Sequence, residues 1–470
     1  MTLSTPRRGR YALFAAALLT AALSTGCTSG DSTQHSRPST APKAGDPLAK
    51  VCEGTREKCS AISVGGRVYR YTLQSRATVP DTRHGGTVTP SPTSPTSQPS
   101  TPATLTDAVL VDLGGPGLSL FNTNASITLA KVWPGSETLI FLEEPWVTRE
   151  VPAACTRALS SHYQGLRAGS DTAGDDVRGA CGLDTPGTWG WTPAQYRSVL
   201  DAILAKDHLR LVGAVGSSFG AARIRALRGE ADLRWLIVNS PSATDLTGAE
   251  YLDQRASAVL DAIDAACPSC HSVADARRLV RTSQKVLHAD PVELATRTPL
   301  IDAADVPAAA IALTYLPENE QAALVAGLPR PGTKDAEEIG RLSDSVLMRY
   351  GETDMSPAML AYYDEICPAY TPWPKGPAPR DPVAGLFHRI HGPCAGVTPA
   401  PGAPRPPDVA SCLAYSTRDS VTPPAFARSW KTLLRRPIVL TTSSTEHARK
   451  ASITSCYRRL TGRATDPDHP

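Results

Sequence analysis

Ser218 stands at the centre of Gly216-Ser-Ser-Phe-Gly220, after an apolar run that begins at Leu209 and before a helical pattern that ends at Gly229. A serine can attack acyl groups when a sharp strand-to-helix turn exposes its hydroxyl, and glycines two residues to either side leave room for such a turn. We therefore expect a strand, a turn and a helix, with Ser218 on the turn. The alternative is a glycine-rich turn whose serine has no chemical role.

A second glycine-rich loop could supply the oxyanion hole. The apolar run Ala108–Asp112 leads into Leu113-Gly-Gly-Pro-Gly117, a loop whose exposed backbone N–H groups can converge on one point. Pro116 has no N–H, so we expect the donor to be Gly115. The second donor would be Phe219, the residue after the nucleophile. A tight turn selected only for its shape would have the same sequence.

The base and the acid are sought near the C-terminus, because in enzymes whose nucleophilic serine lies on such a strand-to-helix turn the order along the chain is Ser, then Asp or Glu, then His. Only His447 and His469 follow the last apolar run, and His469 lies in an Asp-Pro-Asp-His-Pro tail. His447 is therefore the predicted base. Asp419 follows a predicted strand and is the predicted acid, whereas Asp408 precedes that strand and is the weaker choice.

The elements around these residues alternate between apolar runs and helical patterns, which predicts a mostly parallel, doubly wound sheet. About 160 residues of alanine-rich helical segments without a convincing strand interrupt the alternation and predict a helical lid over the carboxyl ends of the strands. The predicted strands besides the one before Ser218 are Val68–Leu73, Ala108–Asp112, Glu137–Leu142, Arg234–Ser240, Val409–Thr417 and Arg436–Thr442.

We place the core at residues 48–245 and 405–462, and the lid at 246–404. Residues 80–106 are a low-complexity stretch rich in Pro, Ser and Thr. Because this stretch lies between two predicted strands, we interpret it as a surface insertion in a hairpin.

The N-terminus has the pattern of an export signal. Arg7, Arg8 and Arg10 precede a short apolar run, and small residues precede Cys27. Residues 1–27 are predicted to be a signal peptide whose end resembles a lipobox, so that Cys27 would be lipidated and anchor the protein to a membrane. Cleavage and release is the alternative. Residues 28–47 have the composition of a flexible tether.

The cysteines also fit an exported protein. The chain has 11, and ten remain if Cys27 carries a lipid. An even number outside the cytoplasm favours disulfides, although a sequence does not fix the pairing. A redox pair or half a zinc site at Cys267–Cys270 is the less favoured reading. Proximity predicts five pairs, which are Cys52 with Cys59, Cys155 with Cys181, Cys267 with Cys270, Cys367 with Cys394, and Cys412 with Cys456.

The composition is that of a globular protein of 470 residues, 41% hydrophobic and 20% charged. A net charge of +3 without a dense Lys/Arg stripe argues against nucleic acid as a partner. No pattern calls for a metal or another cofactor, so we expect none.

These motifs together resemble the actinobacterial exported tripeptidyl aminopeptidases and proline iminopeptidases of the α/β-hydrolase superfamily. The resemblance rests on Gly114–Gly117, on the Ser218 pentapeptide, on Asp419-Ser-Val-Thr-Pro423, and on His447 followed by Cys456. Two stretches differ from that family. Glu143-Glu-Pro-Trp146 stands where it usually has Asp-x-Arg-Gly, and Ser444, Thr445 and Glu446 precede the histidine where it usually has glycine.

The resemblance implies a serine peptidase that removes residues or short peptides from free N-termini, and such an enzyme must hold the ammonium group of its substrate. Carboxylates at a strand end or in the lid could do so, and the candidates are Glu143, Glu144, Asp364 and Glu365. Solvated surface charge is the alternative for each. Two other functions stay open, a carboxylesterase of small esters on the same fold and a surface lipoprotein that keeps the fold without turnover.

Overall fold

A computed structural model describes residues 52, 59–75, 105–122, 125–172, 174–294, 297–329, 331–350, 354–400 and 404–462. Its main element is an eight-stranded sheet. The strands of that sheet are β1 (Ser60–Val64), β2 (Arg67–Gln74), β3 (Thr106–Asp112), β4 (Thr138–Leu142), β5 (Leu209–Ser217), β6 (Trp235–Asn239), β11 (Ala410–Ser416) and β12 (Ile438–Thr442).

The strand order is β1-β2-β4-β3-β5-β6-β11-β12. The strands from β4 to β12 run parallel, whereas β2 is antiparallel to both of its neighbours. This order and these directions are those of the α/β-hydrolase fold, which confirms the predicted fold class. Each predicted strand lies within two residues of an observed one, and of the eight strands in this sheet only β1 was not predicted.

The hairpin predicted around residues 80–106 is wrong. The strands that flank this stretch are β2 and β3, and β4 lies between them in the sheet, antiparallel to β2 and parallel to β3. Apolar runs identify strands but do not say which strands pair. The low-complexity stretch itself lies outside the described residues, apart from its last two positions.

Helices cover both faces of the sheet and form the insertion between β6 and β11. The α-helices are α1 (Ala125–Val132), α2 (Ala153–Ala168), α3 (Asp175–Cys181), α4 (Pro193–Lys206), α5 (Gly220–Arg223), α6 (Gly248–Ala266), α7 (Val273–Ala289), α8 (Asp305–Leu313), α9 (Glu318–Gly327), α10 (Thr333–Val346), α11 (Ala358–Ala369), α12 (Pro382–Ile390), α13 (Pro424–Leu433) and α14 (Lys450–Thr461).

Side-chain alternation along the strands explains why both faces of the sheet are covered. In β3, Leu110 packs with residues of α4 and α13 on one face, while Val109 and Val111 pack with residues of α1 and α14 on the other. Successive side chains of a strand point to opposite faces, so a strand that is apolar throughout requires a layer of helices on each side.

The lid has its own hydrophobic core, built mainly from α6 to α12. Short strands that the sequence did not reveal also lie there, namely β7 (Val292–Leu294), β8 (Arg297–Ile301), β9 (Arg349–Tyr350) and β10 (Asp354–Met355). Helices α2 and α3, which precede β5 in the chain, belong to the same hydrophobic cluster, with Leu159 and Val177 among its members. The lid core therefore includes residues from outside 246–404.

All five predicted cysteine pairs are confirmed as disulfides. Such bonds are compatible with an extracellular protein. Within the described ranges, no helix is both long enough and apolar enough to cross a bilayer. The predicted signal peptide, the tether and Cys27 lie outside the described residues.

Candidate active site

Ser218 lies on a strained turn between β5 and α5. Its φ is +52°, a left-handed value that serine seldom adopts. The glycines on either side permit the turn, because a Cβ at Gly216 would lie 2.7 Å from Ala221 Cα and one at Gly220 would lie 2.5 Å from the carbonyl oxygen of Asp112. The local geometry is that of a nucleophile elbow.

Asp419 and His447 form a hydrogen-bonded pair. His447 Nδ1 lies 2.9 Å from Asp419 Oδ2, although 27 residues separate the two in the chain. The backbone N–H groups of Val421 and Thr422 both donate to Asp419 Oδ1 at 2.9 Å, and the Thr422 hydroxyl donates to Oδ2 at 2.9 Å. Burial alone would raise the pKa of Asp419, but His447 and these hydrogen bonds bring it below the usual value.

The end of β6 joins the nucleophile to the histidine loop. Ser218 N–H donates to the Asn239 carbonyl at 3.0 Å, and Ala448 N–H donates to Ser240 Oγ at 3.2 Å. Residues adjacent to His447 are thus attached to the strand end that also holds Ser218. No hydrogen bond joins Ser218 Oγ to His447 in the described structure, and such bonds often tighten only when substrate is bound.

The Gly-Gly-Pro-Gly loop packs against the elbow. A Cβ at Gly114 would lie 2.8 Å from Ser218 Cβ and 3.1 Å from Phe219 N, so the two segments are in contact. The Gly114 N–H donates to Asp112 Oδ1 at 2.9 Å. Among the described residues nothing accepts a hydrogen bond from the N–H of Gly115 or Phe219, the two groups predicted to face an oxyanion.

Two of the four candidate substrate carboxylates, Glu143 and Asp364, are buried acceptors for the backbone. Glu143 accepts from the N–H groups of residues 120, 121 and 144 and from the Ser119 hydroxyl. Asp364 accepts from the N–H groups of residues 187, 189 and 190. Burial raises the pKa of each, and these N–H groups oppose the rise. Both carboxylates hold loops in place.

The other two, Glu144 and Glu365, surround Arg223, which follows Ser218 by five residues. Arg223 Nη2 donates to Glu144 Oε1 and to Glu365 Oε1, each at 2.8 Å, and its Nε donates to Glu365 Oε2 at 2.7 Å. Asp112 lies on the same guanidinium at 3.4 Å. We call these four side chains the Arg223 cluster, and all of them are buried.

The Arg223 cluster has more acid than base. Three carboxylates against one guanidinium leave a net charge of −2 if all of them ionise. Burial, opposed by the Arg223 charge, raises the pKa of Glu144 to about 8 and that of Glu365 to about 6. Glu144 Oε2 is buried and has no hydrogen-bond partner among the described residues, and Glu144 Oε1 would lie 3.2 Å from a Cβ at Gly115. The unbalanced charge thus lies beside the proposed oxyanion loop.

Sequence reasoning did not single out Thr422 or Arg223. Thr422 was visible within Asp419-Ser-Val-Thr-Pro423, because a short turn after an aspartate brings the third residue back to its carboxylate. No comparable signal marked Arg223, whose partners come from β3, the end of β4 and α11.

No protein-family model and no curated protein sequence matches the chain. Solved structures similar to it include a hydrolase from Pseudomonas aeruginosa PA01, with 11% identity, a TM-score of 0.35, and 87% of this chain and 99% of that chain covered. An alpha/beta hydrolase fold protein from Nakamurella multipartita has 12% identity and a TM-score of 0.35 over 86% and 98% of the two chains. The esterase RhEst1 from Rhodococcus sp. ECU1013 has 12% identity and a TM-score of 0.33 over 87% and 99%. Likenesses this low carry neither an activity nor a substrate to this chain.

Proposed function

We propose that the protein is a serine hydrolase that acts through an acyl-enzyme, with Ser218 as nucleophile, His447 as base and Asp419 as the acid that orients it. The observation that carries this proposal is the 2.9 Å contact between His447 and Asp419, on loops attached to the strand end that holds the strained Ser218. The left-handed conformation of Ser218 costs free energy, and a role as nucleophile gives a physical reason for the protein to keep it.

In this mechanism His447 Nδ1 is engaged by Asp419, which leaves Nε2 to take the proton from Ser218 Oγ. The serine oxygen then bonds to the carbonyl carbon of the substrate, and the N–H groups of Gly115 and Phe219 stabilise the negative carbonyl oxygen. His447 gives its proton to the leaving group as the bond to that group breaks. Water repeats the sequence on the acyl-enzyme and releases Ser218.

We further propose that the substrate presents a free amino group, so that the enzyme is an aminopeptidase of short peptides. Support comes from the Arg223 cluster, where Glu144 and Glu365 carry unbalanced charge next to the oxyanion loop. An ammonium group would supply the missing positive charge and a donor for Glu144 Oε2. The backbone bonds of Glu143 and Asp364 make those two predicted ligands the weaker candidates.

Labelling by a fluorophosphonate tests the hydrolase. The wild-type chain should be labelled at Ser218 and the Ser218→Ala variant should not. Ser217→Ala is the matched control, because Ser217 is adjacent but buried, and Asn239 donates to its hydroxyl at 3.3 Å. A folded wild-type chain that takes no label would refute the proposal and favour a non-catalytic protein.

Comparison of aminoacyl and tripeptidyl anilides with their N-acetylated forms tests the aminopeptidase. We expect hydrolysis of the free amines alone, and a raised KM for Glu144→Gln and Glu365→Gln because each removes a charge from the ammonium site. Equal turnover of blocked substrates, or turnover of small esters alone, would contradict the aminopeptidase and favour a carboxylesterase.

We also propose that the protein is exported and held at the membrane by a lipid on Cys27. The five disulfides support export. Mass spectrometry of the mature N-terminus tests the anchor, which requires a lipid-modified Cys27 as the first residue. An unmodified end beyond Cys27 would contradict it.

A further inference from the structure

Arg255 is a buried cation of the lid that reaches the catalytic loop. It lies on α6, the first lid helix, and is 7% exposed. Its guanidinium donates to the carbonyl oxygen of Val421, in the loop of Asp419, and lies 5.6 Å from the centre of the Phe387 ring. Among the described residues no carboxylate pairs with it. Burying a guanidinium is costly, so a cation kept without a counter-ion calls for a reason.

The bond from Arg255 acts on the peptide group that holds the catalytic acid. The Val421 carbonyl and the Thr422 N–H belong to one peptide unit, and that N–H donates to Asp419 Oδ1 at 2.9 Å. A cation on the carbonyl oxygen polarises the unit and makes its N–H a stronger donor, as in any chain of coupled hydrogen bonds. The Arg255 charge is thereby transmitted through one peptide group to Asp419.

A second lid residue contacts the catalytic base. The Tyr315 ring, in the segment after α8, lies edge-on to the His447 ring with 6.3 Å between their centres. The Tyr315 hydroxyl also interacts with Arg255. The lid therefore touches the catalytic pair at two points, one on the acid loop and one on the imidazole.

The anchorage of α6 links it to the nucleophile. The segment before this helix begins at Ser242, whose N–H donates to the Ser218 carbonyl at 3.0 Å, and whose own carbonyl accepts from Trp430 at 2.7 Å. The helix then starts at a capping box formed by Thr247 and Glu250. Arg255 is therefore held at a fixed distance from the elbow.

We propose that Arg255 is a positioning residue through which the docked lid completes the catalytic triad. On this view the lid covers the active site and is also part of the catalytic apparatus. The backbone of Val421 and Thr422 keeps its hydrogen bonds to Asp419 only when α6 places the Arg255 guanidinium on the Val421 carbonyl. This inference rests on the proposed function of Ser218, Asp419 and His447 and adds a residue to it.

The test compares Arg255→Met, Arg255→Lys and the control Phe387→Leu. The control disturbs the packing around the guanidinium but leaves its bond to Val421. With the best substrate found for the wild type, we expect Arg255→Met to lower kcat by about 10- to 100-fold with KM changed less than about twofold, as for a catalytic group slightly misplaced. Arg255→Lys should recover most of the loss because an ammonium can also donate to the carbonyl, and Phe387→Leu should keep the wild-type kcat.

Proton NMR gives a readout independent of turnover. The far-downfield signal of the His447 Nδ1 proton, bonded to Asp419, should move or broaden in Arg255→Met and stay in place in Phe387→Leu. A folded Arg255→Met variant with wild-type kcat and an unmoved signal would overturn the proposal, as would equal losses in the control. If Arg255→Met does not fold, Arg255→Gln replaces it, and wild-type kcat in that variant would overturn the proposal too.

The outcomes separate this inference from the proposed function. A wild-type chain that a fluorophosphonate does not label refutes the hydrolase itself. A wild-type chain that is labelled at Ser218, together with Arg255 variants that behave like the control, refutes only the role of Arg255.

Discussion

The Asp419→Asn variant should keep the fold and lose almost all activity, for a reason that follows from the hydrogen bonds of the carboxylate. Two backbone N–H groups point at Asp419 Oδ1, each at 2.9 Å, so this position must remain an acceptor. The amide oxygen of the asparagine therefore stays there, and its NH2 group takes the Oδ2 position 2.9 Å from His447 Nδ1. A donor at that point forces Nδ1 to be an acceptor. The ring proton then lies on Nε2, which can no longer accept the serine proton.

The expected size of this effect is large. A triad histidine locked in the wrong tautomer costs about 10,000-fold in kcat in the serine protease where it was measured. At about 1.36 kcal/mol per tenfold, the barrier rises by about 5.5 kcal/mol. The side chain keeps its shape, and Thr422 Oγ can accept from the new NH2 group, so the loop should stay in place.

The Asp419→Asn variant should also be less stable than the wild type, because of the pKa of Asp419. The pKa of Asp419 in the folded chain is below its usual value, so the ionised group stabilises the fold above its unfolded pKa, and this stabilisation is lost as the pH falls through the folded pKa. The neutral asparagine lacks this contribution at every pH. The variant should therefore unfold at a lower temperature than the wild type at neutral pH, and the difference between the two unfolding temperatures should shrink in acid.

The assay is the rate of fluorophosphonate labelling, followed by kcat once a substrate is known. Asp408→Asn is the matched control, since Asp408 is the other acid near this strand and forms an exposed ion pair with Arg435 at 3.3 Å. The reasoning is refuted if Asp419→Asn stays within about tenfold of the wild type, a factor that corresponds to one hydrogen bond at most. Equal losses in the two variants would refute it as well.

Three further changes have defined outcomes. Gly114→Ala should abolish labelling in a chain that still folds, because φ is +90° there and a Cβ would lie 2.6 Å from the Ser217 carbonyl oxygen; near-normal labelling would mean that the loop does not adjoin Ser218 as described. Glu144→Gln should make the temperature of thermal unfolding depend less on pH. Burial raises the pKa of Glu144 to about 8, so the wild-type fold should lose stability as the pH rises toward that value. Identical pH profiles of the two proteins would contradict this. Replacing both Cys412 and Cys456 by Ala should lower the free energy of unfolding by about 2–5 kcal/mol, measured in urea, and an unchanged midpoint would contradict the estimate.

The contact between Asp419 and His447 could be predicted because chain order constrains where the two residues lie. In a parallel sheet the loops after the strands all emerge at one edge, so an aspartate after β11 and a histidine after β12 had to lie near a serine after β5. Asp419 and His447 could therefore be placed together from strand order and the order of the triad residues along the chain. A different criterion paired the cysteines, since each predicted pair joins neighbours along the chain.

The order of the residues along the chain did not predict which strands pair or which carboxylates surround Arg223. The hairpin prediction failed because β4 inserts between β2 and β3, and nothing in the apolar pattern of a strand records its neighbour. The sequence showed Glu143 and Glu144 as an acidic pair, and likewise Asp364 and Glu365, without distinguishing their members. Adjacent side chains point in different directions both in the loop after β4 and on helix α11, so one of each pair accepts from backbone N–H groups and the other meets Arg223.

That division sharpens the question of the substrate. A carboxylate surrounded by backbone donors has its hydrogen bonds satisfied and gains little from a ligand. Glu144 and Glu365 instead share one guanidinium with Asp112. Bound protons therefore neutralise part of the surplus negative charge of these carboxylates. A ligand that brings its own positive charge would displace such a proton. Binding of an amine to this site should therefore release protons at neutral pH, whereas binding of an uncharged ester should not, and this difference connects the electrostatics of the Arg223 cluster to the choice between peptide and ester.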